Sequence, residues 1–122
     1  MKENNISGRV ACKGKVEGPA RIIHKPSDLQ NVQPGDILIT SQTNINYVPY
    51  LRDCIGLITE TGGRYCHASI FSRENQLPCI IDVDGAMNTF IDGEYLILDA
   101  DNNKISTKTI MEAVQNEKNC GS

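Results

Sequence analysis

Short apolar runs bounded by glycine, proline or asparagine recur along the whole chain and predict a fold rich in strands. Each run is too short for a helix, and turn residues separate neighbouring runs, as Pro34-Gly35-Asp36 does before the first central run. The segment 7–23 follows the same pattern around Gly14 and predicts a hairpin or a pair of strands. The other predicted strands are 37–40, 55–59, 79–81, 95–98 and 104–106.

Two segments have helical patterns instead. The segment 47–51 predicts a short helix in which Pro49 lies early enough to be tolerated. The segment 65–75 places Ala68 and Phe71 on one helical face, with no proline before Pro78, and predicts about three turns. Because strands outnumber helices and the connections differ in length, we expect an α/β fold, a mixed sheet with flanking helices. A terminal helix is expected near 109–117.

The composition restricts the classes of function. With 122 residues, 39% of them hydrophobic and 22% charged, residues 1–122 are expected to form one domain. The net charge is −3 and no basic stripe is present, which disfavours nucleic acid and membrane surfaces as partners. No apolar run approaches the roughly 20 residues of a membrane span, and the polar N-terminus lacks a secretory signal, so a cytoplasmic location is expected. Five cysteines without a C-x-x-C pair indicate reduced thiols.

The candidate chemistry lies around one histidine. Gly62 and Gly63 precede the predicted helix, and His67 falls in its first turn. Glycines allow a ligand to approach the backbone, and the N–H groups of a first helical turn favour an anion such as phosphate. A neutral imidazole has a free nitrogen that can attack phosphorus. Arg64 and Arg73 could each hold phosphate oxygens, and Arg64 is favoured because it lies on the glycine turn.

Simpler roles for the same residues stay open. His67 could be a structural residue at a helix end, and Arg73 could pair on the helix surface. Cys66 is assigned to the predicted phosphate site as a packing contact, because adjacent helical residues point about 100° apart and make a poor nucleophile–base pair. A zinc site at Cys66, His67 and Cys79 would lack a fourth ligand, so no metal is predicted. Without a P-loop or dinucleotide fingerprint, no cofactor is predicted on this chain.

The whole segment around His67 has a family likeness. Residues 62–73 read Gly-Gly-Arg-Tyr-Cys-His-Ala-Ser-Ile-Phe-Ser-Arg. They resemble the phosphohistidine signature of the phosphoenolpyruvate-utilising enzymes, which include phosphoenolpyruvate synthase, pyruvate phosphate dikinase and enzyme I of the sugar phosphotransferase system. The likeness covers about residues 7–106 and leaves 107–122 as the terminal helix and a loose tail. It implies a swivelling β/β/α phosphohistidine domain in which His67 is transiently phosphorylated.

The resemblance also implies partners. In this family the domain takes phosphate from an ATP-grasp nucleotide-binding domain or a phosphoenolpyruvate- or pyruvate-binding barrel, so ATP and Mg²⁺ are expected on a partner. The final acceptor is left open. The chain either works in trans, which an intact Met1 favours, or is an excerpt of a longer polypeptide.

Two positions depart from the family pattern. Tyr65 stands where the family usually has Ser or Thr, and Asp82 stands in a segment that commonly ends in glycine. These departures support an alternative, a docking module without catalysis that keeps the swivelling fold while Tyr65 blocks the phosphate pocket.

Overall fold

The computed structural model describes residues 6–63 and 65–108, and these residues form a sheet with helices packed against it. The strands are β1 (Arg9–Cys12), β2 (Lys15–Ile23), β3 (Ile37–Thr40), β4 (Gly56–Thr59), β5 (Cys79–Ile81), β6 (Tyr95–Asp99) and β7 (Lys104–Lys108). The α-helices are α1 (Val48–Leu51), α2 (His67–Asn75) and α3 (Ala86–Thr89). Two short 3₁₀ segments span Pro26–Asn31 and Ile45–Tyr47. Among the described residues, no helix has the length and apolarity to span a bilayer.

The sheet is mixed and curled, with the strand order β1-β5-β4-β3-β2-β6-β7. The four central strands β2 to β5 run parallel, while β1, β6 and β7 pair antiparallel with their neighbours. Strand β2 pairs with β6 through its first half and with β3 through its second half. Ile6, just before β1, exchanges two backbone hydrogen bonds with Ile105 of β7, which brings the edges of the sheet together. The predicted α/β fold with a mixed sheet is confirmed.

Both faces of the central strands are buried, as parallel sheets require. One face joins β6, β7 and α3 in an apolar cluster that includes Ile39, Ile58 and Ile80. The other face packs under α2, where Leu57 and Ile81 join Phe71 in a second cluster. Helix α2 therefore lies across β1, β4 and β5 with its first residue at the carboxyl end of the parallel strands.

The predicted pairing within segment 7–23 is wrong, although both strands exist. Strand β1 pairs with β5, and β2 pairs with β6 and β3. The cause lies at Gly14, whose N–H donates to the Asp101 carboxylate at 3.1 Å and whose carbonyl accepts from the Ala100 N–H at 2.8 Å. These bonds tie the connection to the β6–β7 turn, so β2 continues along β6 instead of folding back on β1.

The other predicted elements are found at nearly the predicted bounds, with α2 beginning at His67 rather than at Tyr65. Helix α3 and the 3₁₀ segment Pro26–Asn31 were not expected. The predicted helix near 109–117 lies outside the described residues.

Candidate functional site

His67 is the first residue of α2, directly after the glycine turn that follows β4. Cys66 is the N-cap residue, and its Sγ accepts a hydrogen bond from the Ser69 N–H at 3.4 Å. His67 therefore lies among the N–H groups of the first turn, at the positive end of the helix dipole. The predicted order of glycine turn, helix start and histidine is confirmed.

The glycine turn is held by the buried side chain of Ser69. Its Oγ donates to the Gly63 carbonyl at 2.8 Å, and the Cys66 N–H donates to the same carbonyl at 3.1 Å. Gly62 has φ +141°, and a Cβ there would lie 2.9 Å from Cys66 Sγ, so this position requires glycine. A Cβ on Gly63 would meet nothing within 4 Å. Only Gly62 is therefore required by the local backbone and packing.

The imidazole of His67 is held on two sides. Its Nδ1 lies 2.8 Å from Thr43 Oγ1, and its ring stacks on Phe71 with centroids 6.0 Å apart. Thr43 is only 8% exposed, so the protein supplies the hydroxyl in place of water. No described residue binds the other ring nitrogen, Nε2. Within the described part of the chain, the two ring nitrogens therefore differ, since Nδ1 has a hydrogen-bond partner and Nε2 has none.

Thr43 is not among the site residues predicted from the sequence. The neighbouring Asn44 caps the 3₁₀ segment Ile45–Tyr47, since its Oδ1 accepts from the Asn46 N–H at 2.8 Å. Thr43 follows β3 as the glycine turn follows β4, and these strands are parallel neighbours. The available signal was therefore the shared carboxyl edge of the two strands.

A small cavity opens beside the imidazole. Its volume is about 110 Å³, and its wall comes from the loops after β3 and β4 and from the start of α2. The lining residues are Gln42, Thr43, Thr61, Gly62, Cys66, His67 and Ala68. Among the described residues that line the cavity, none is a lysine, arginine, aspartate or glutamate, and His67 is the one titratable base.

Cys66 contributes a polarised thiol to this wall. Burial alone raises the pKa of Cys66, but hydrogen bonding with the Ser69 side chain and with the backbone of Ser69, Gly63 and Ala68 outweighs it and lowers the pKa overall. The thiol belongs to the helix cap that sets the direction of α2. Cys66 therefore supports the start of α2, the helix that carries His67.

Of the two predicted arginines, the structure describes only Arg73, and it lies away from the cavity. Arg64 lies outside the described residues. Arg73 is exposed in the last turn of α2, about 9 Å further along the helix axis than His67, and does not line the cavity. The phosphate contacts of both arginines stay predictions.

The two departures from the family pattern lie at the edges of the site. The Tyr65 side chain is 80% exposed and does not line the cavity. Asp82 is exposed just after β5 and has φ +62°, in the left-handed region that glycine enters most readily. Among the described residues, no group of three His, Cys, Asp or Glu side chains is placed to hold a metal ion.

Comparison with known proteins gives agreement in sequence and in fold. The family model of the PEP-utilising enzyme mobile domain matches residues 32–103, which include the glycine turn and His67. A probable phosphoenolpyruvate synthase of Methanothermobacter thermautotrophicus is 30% identical over 116 residues, covering 95% of this chain and 17% of that protein. The phosphoenolpyruvate synthase of Escherichia coli is 31% identical over 93 residues, covering 71% of this chain and 12% of that protein.

The fold has a matching solved structure as well. The solution structure of an Enzyme I protein superposes with a TM-score of 0.58 at 17% identity, covering 75% of this chain and 38% of that one. At this identity the likeness concerns the fold alone. The chain spans less than a fifth of the two synthases, so most of each relative has no counterpart here.

Proposed function

Since the chain belongs to the family of mobile domains of phosphoenolpyruvate-utilising enzymes, we propose that it carries a phosphoryl group on His67 between a donor site and an acceptor site. The observation that carries the proposal is the unequal treatment of the two imidazole nitrogens. Nδ1 is engaged by Thr43, and Nε2 has no partner among the described residues. A phosphoryl carrier needs one oriented nitrogen and one free nitrogen.

In the productive tautomer, the Nδ1–H of His67 donates to Thr43 Oγ1. Nε2 then holds a lone pair and attacks the donor phosphorus, while the bond from phosphorus to the leaving oxygen breaks. In the second half of the cycle an acceptor oxygen attacks the same phosphorus and the N–P bond breaks. The lone pair returns to Nε2, so the domain ends as it began.

Phosphoryl charge on Nε2 needs compensation, and the N-terminus of α2 supports this requirement. The first-turn N–H groups and the glycine turn surround His67, where an anion is stabilised by the helix dipole. Arg64, on the same turn, is proposed as the guanidinium that contacts the phosphoryl oxygens. The donor is proposed to be an ATP-grasp or phosphoenolpyruvate-binding partner that holds ATP and Mg²⁺ or phosphoenolpyruvate.

The alternative docking module depends on Tyr65 blocking the phosphate pocket. Tyr65 is exposed and is not among the described residues that line the cavity beside His67, so the support for this alternative is missing. The helix cap and an Nε2 without a partner among the described residues instead favour a working carrier. We therefore retain the phosphoryl carrier as the one proposed function.

The test is labelling of the purified chain in an extract of its own organism, supplied with ³²P-phosphoenolpyruvate or with ATP labelled at the β or γ phosphorus. We expect an acid-labile, alkali-stable label on the peptide that contains His67, and loss of that label in His67→Ala. His24→Ala is the matched control, because His24 is exposed in a loop after β2 and should label like wild type. Label that persists in His67→Ala, or no label from any donor, would contradict the proposal.

A further inference from the structure

Two cysteines face each other across the β1–β5 pair, beneath α2. The register of this antiparallel pair shifts between Val10 and Cys12 and places Cys12 opposite Cys79. Directly opposite residues of antiparallel strands have Cα atoms roughly 4.5–5.5 Å apart and side chains on the same face. Both side chains indeed belong to the apolar cluster under α2. This separation lies within the roughly 4.4–6.8 Å that a disulfide spans.

The two thiols differ in access to solvent. Cys79 is fully buried, and burial raises its pKa to about 12, so it is a poor first target for an oxidant. Cys12 is half-buried on the edge strand β1. Burial raises the pKa of Cys12 as well, but the positive charge of Arg73 opposes that rise. An oxidant in solution therefore reacts with Cys12 first, and the buried Cys79 is the second thiol to react.

We propose that Cys12 and Cys79 are a site of reversible oxidative modification, at which a peroxide converts the two thiols into a cross-strand disulfide. The Cys12 thiolate attacks a peroxide oxygen, the O–O bond breaks, and a sulfenic acid and hydroxide result; the hydroxide takes up the proton that the Cys12 thiol had lost and becomes water. The Cys79 sulfur then attacks the Cys12 sulfur, the S–O bond breaks, and the oxygen leaves as water with the Cys79 proton. Two thiols lose two electrons in total, and one peroxide becomes two waters.

The register distinguishes this pair from the other described cysteines. Cys54 lies between α1 and β4 and is mostly buried, while Cys66 is occupied as the cap of α2. Neither is a register partner of another cysteine in the described strands. The disulfide would join the edge strand β1 to β5, two of the three strands that α2 packs against. The proposal concerns the strands beneath α2 and does not depend on phosphorylation of His67.

The experiment uses the full chain with Cys120→Ser, which removes the tail thiol, treated with hydrogen peroxide and then mapped by mass spectrometry after digestion. We expect the intact mass to fall by two hydrogen atoms and one cross-linked peptide pair to contain Cys12 and Cys79. Closing so long a loop should raise the thermal midpoint by about 10 °C or more, and dithiothreitol should reverse the shift. Cys66→Ser should oxidise in the same way, whereas Cys12→Ala should show no upward shift.

The peptide map decides the matter even if a Cys79 variant fails to fold, because it is made on a chain that retains both thiols. A cross-link between Cys66 and either thiol would overturn the proposal. Oxidation of Cys12 to an oxygen adduct, with Cys79 still open to alkylation after unfolding, would also overturn it. A disulfide between Cys12 and Cys79 that leaves the thermal midpoint unchanged would do the same.

Discussion

Replacement of Thr43 by valine should change which nitrogen of His67 carries the proton. Valine has nearly the shape of threonine but lacks the hydroxyl that lies 2.8 Å from Nδ1. Since Thr43 is only 8% exposed, water cannot easily take the place of that oxygen. A hydrogen bond of this kind contributes about 0.5–1.5 kcal/mol, so its loss should shift the tautomer ratio towards Nε2–H by roughly twofold to tenfold.

The assay is ¹⁵N NMR of the ring nitrogens of His67 at a pH where the imidazole is neutral, which needs no partner protein. Wild type should show protonated Nδ1, and Thr43→Val should show a larger share of protonated Nε2. Because only the Nδ1–H form exposes a lone pair at Nε2, the rate of phosphorylation should fall in proportion to the measured fraction of the Nδ1–H tautomer. Thr43→Ser is the matched control, since it keeps the hydroxyl, and it should resemble wild type in both measurements.

Two results would refute this reasoning. An unchanged tautomer ratio in Thr43→Val would mean that the hydroxyl does not orient the ring. A loss in Thr43→Ser as large as that in Thr43→Val would mean that the methyl group and packing matter, not the hydrogen bond.

Three further predictions concern stability and charge. Gln76 ends α2 in the left-handed region at φ +54°, where a residue with a Cβ is strained and glycine is not. Gln76→Gly should therefore raise the free energy of unfolding in urea by up to about 1 kcal/mol, and a decrease would count against backbone strain at Gln76. Burial raises the pKa of Cys54 and of Cys79 to about 12, so these thiols ionise at lower pH in the unfolded chain than in the folded one. The free energy of unfolding should therefore fall as the pH rises above 9.0, and a free energy that does not change with pH in this range would contradict the burial of these thiols. Arg64→Ala should slow single-turnover phosphorylation of His67 by roughly tenfold to a hundredfold and more than Arg73→Ala does, and the reverse order would place Arg73 at the phosphate.

The strands could be predicted from sequence because the central ones are buried on both faces. Burial on both faces produces continuous apolar runs such as Ile37–Thr40, which stand out between turn residues. The partner of β1 could not be predicted in this way. It depends on the bonds of Gly14 to Ala100 and Asp101, which are distant in sequence and close only in the fold. Local pattern fixes where a strand lies, whereas long-range bonds fix its neighbour.

The same division applies to the site. The glycine turn, the Cys66 cap and His67 are consecutive, so their geometry follows from local rules of helix initiation. Thr43 reaches Nδ1 from 24 residues away, through a parallel pairing of β3 and β4 that sequence periodicity does not specify. The residue that contacts Nδ1, and that is proposed to set the tautomer of His67, could therefore not be predicted from local sequence.

Asp82, one of the two departures from the family pattern, has a backbone conformation that few residues adopt. Aspartate is among the few residues other than glycine that visit the left-handed region, because its short side chain can hydrogen-bond locally. Asp82 has φ +62°, and the N–H of the following Val83 donates to the Thr59 carbonyl at 3.0 Å. That bond joins the ends of β4 and β5 beside the glycine turn. Asp82 therefore places an exposed carboxylate just after β5, while the bond between Val83 and Thr59 holds the backbone there.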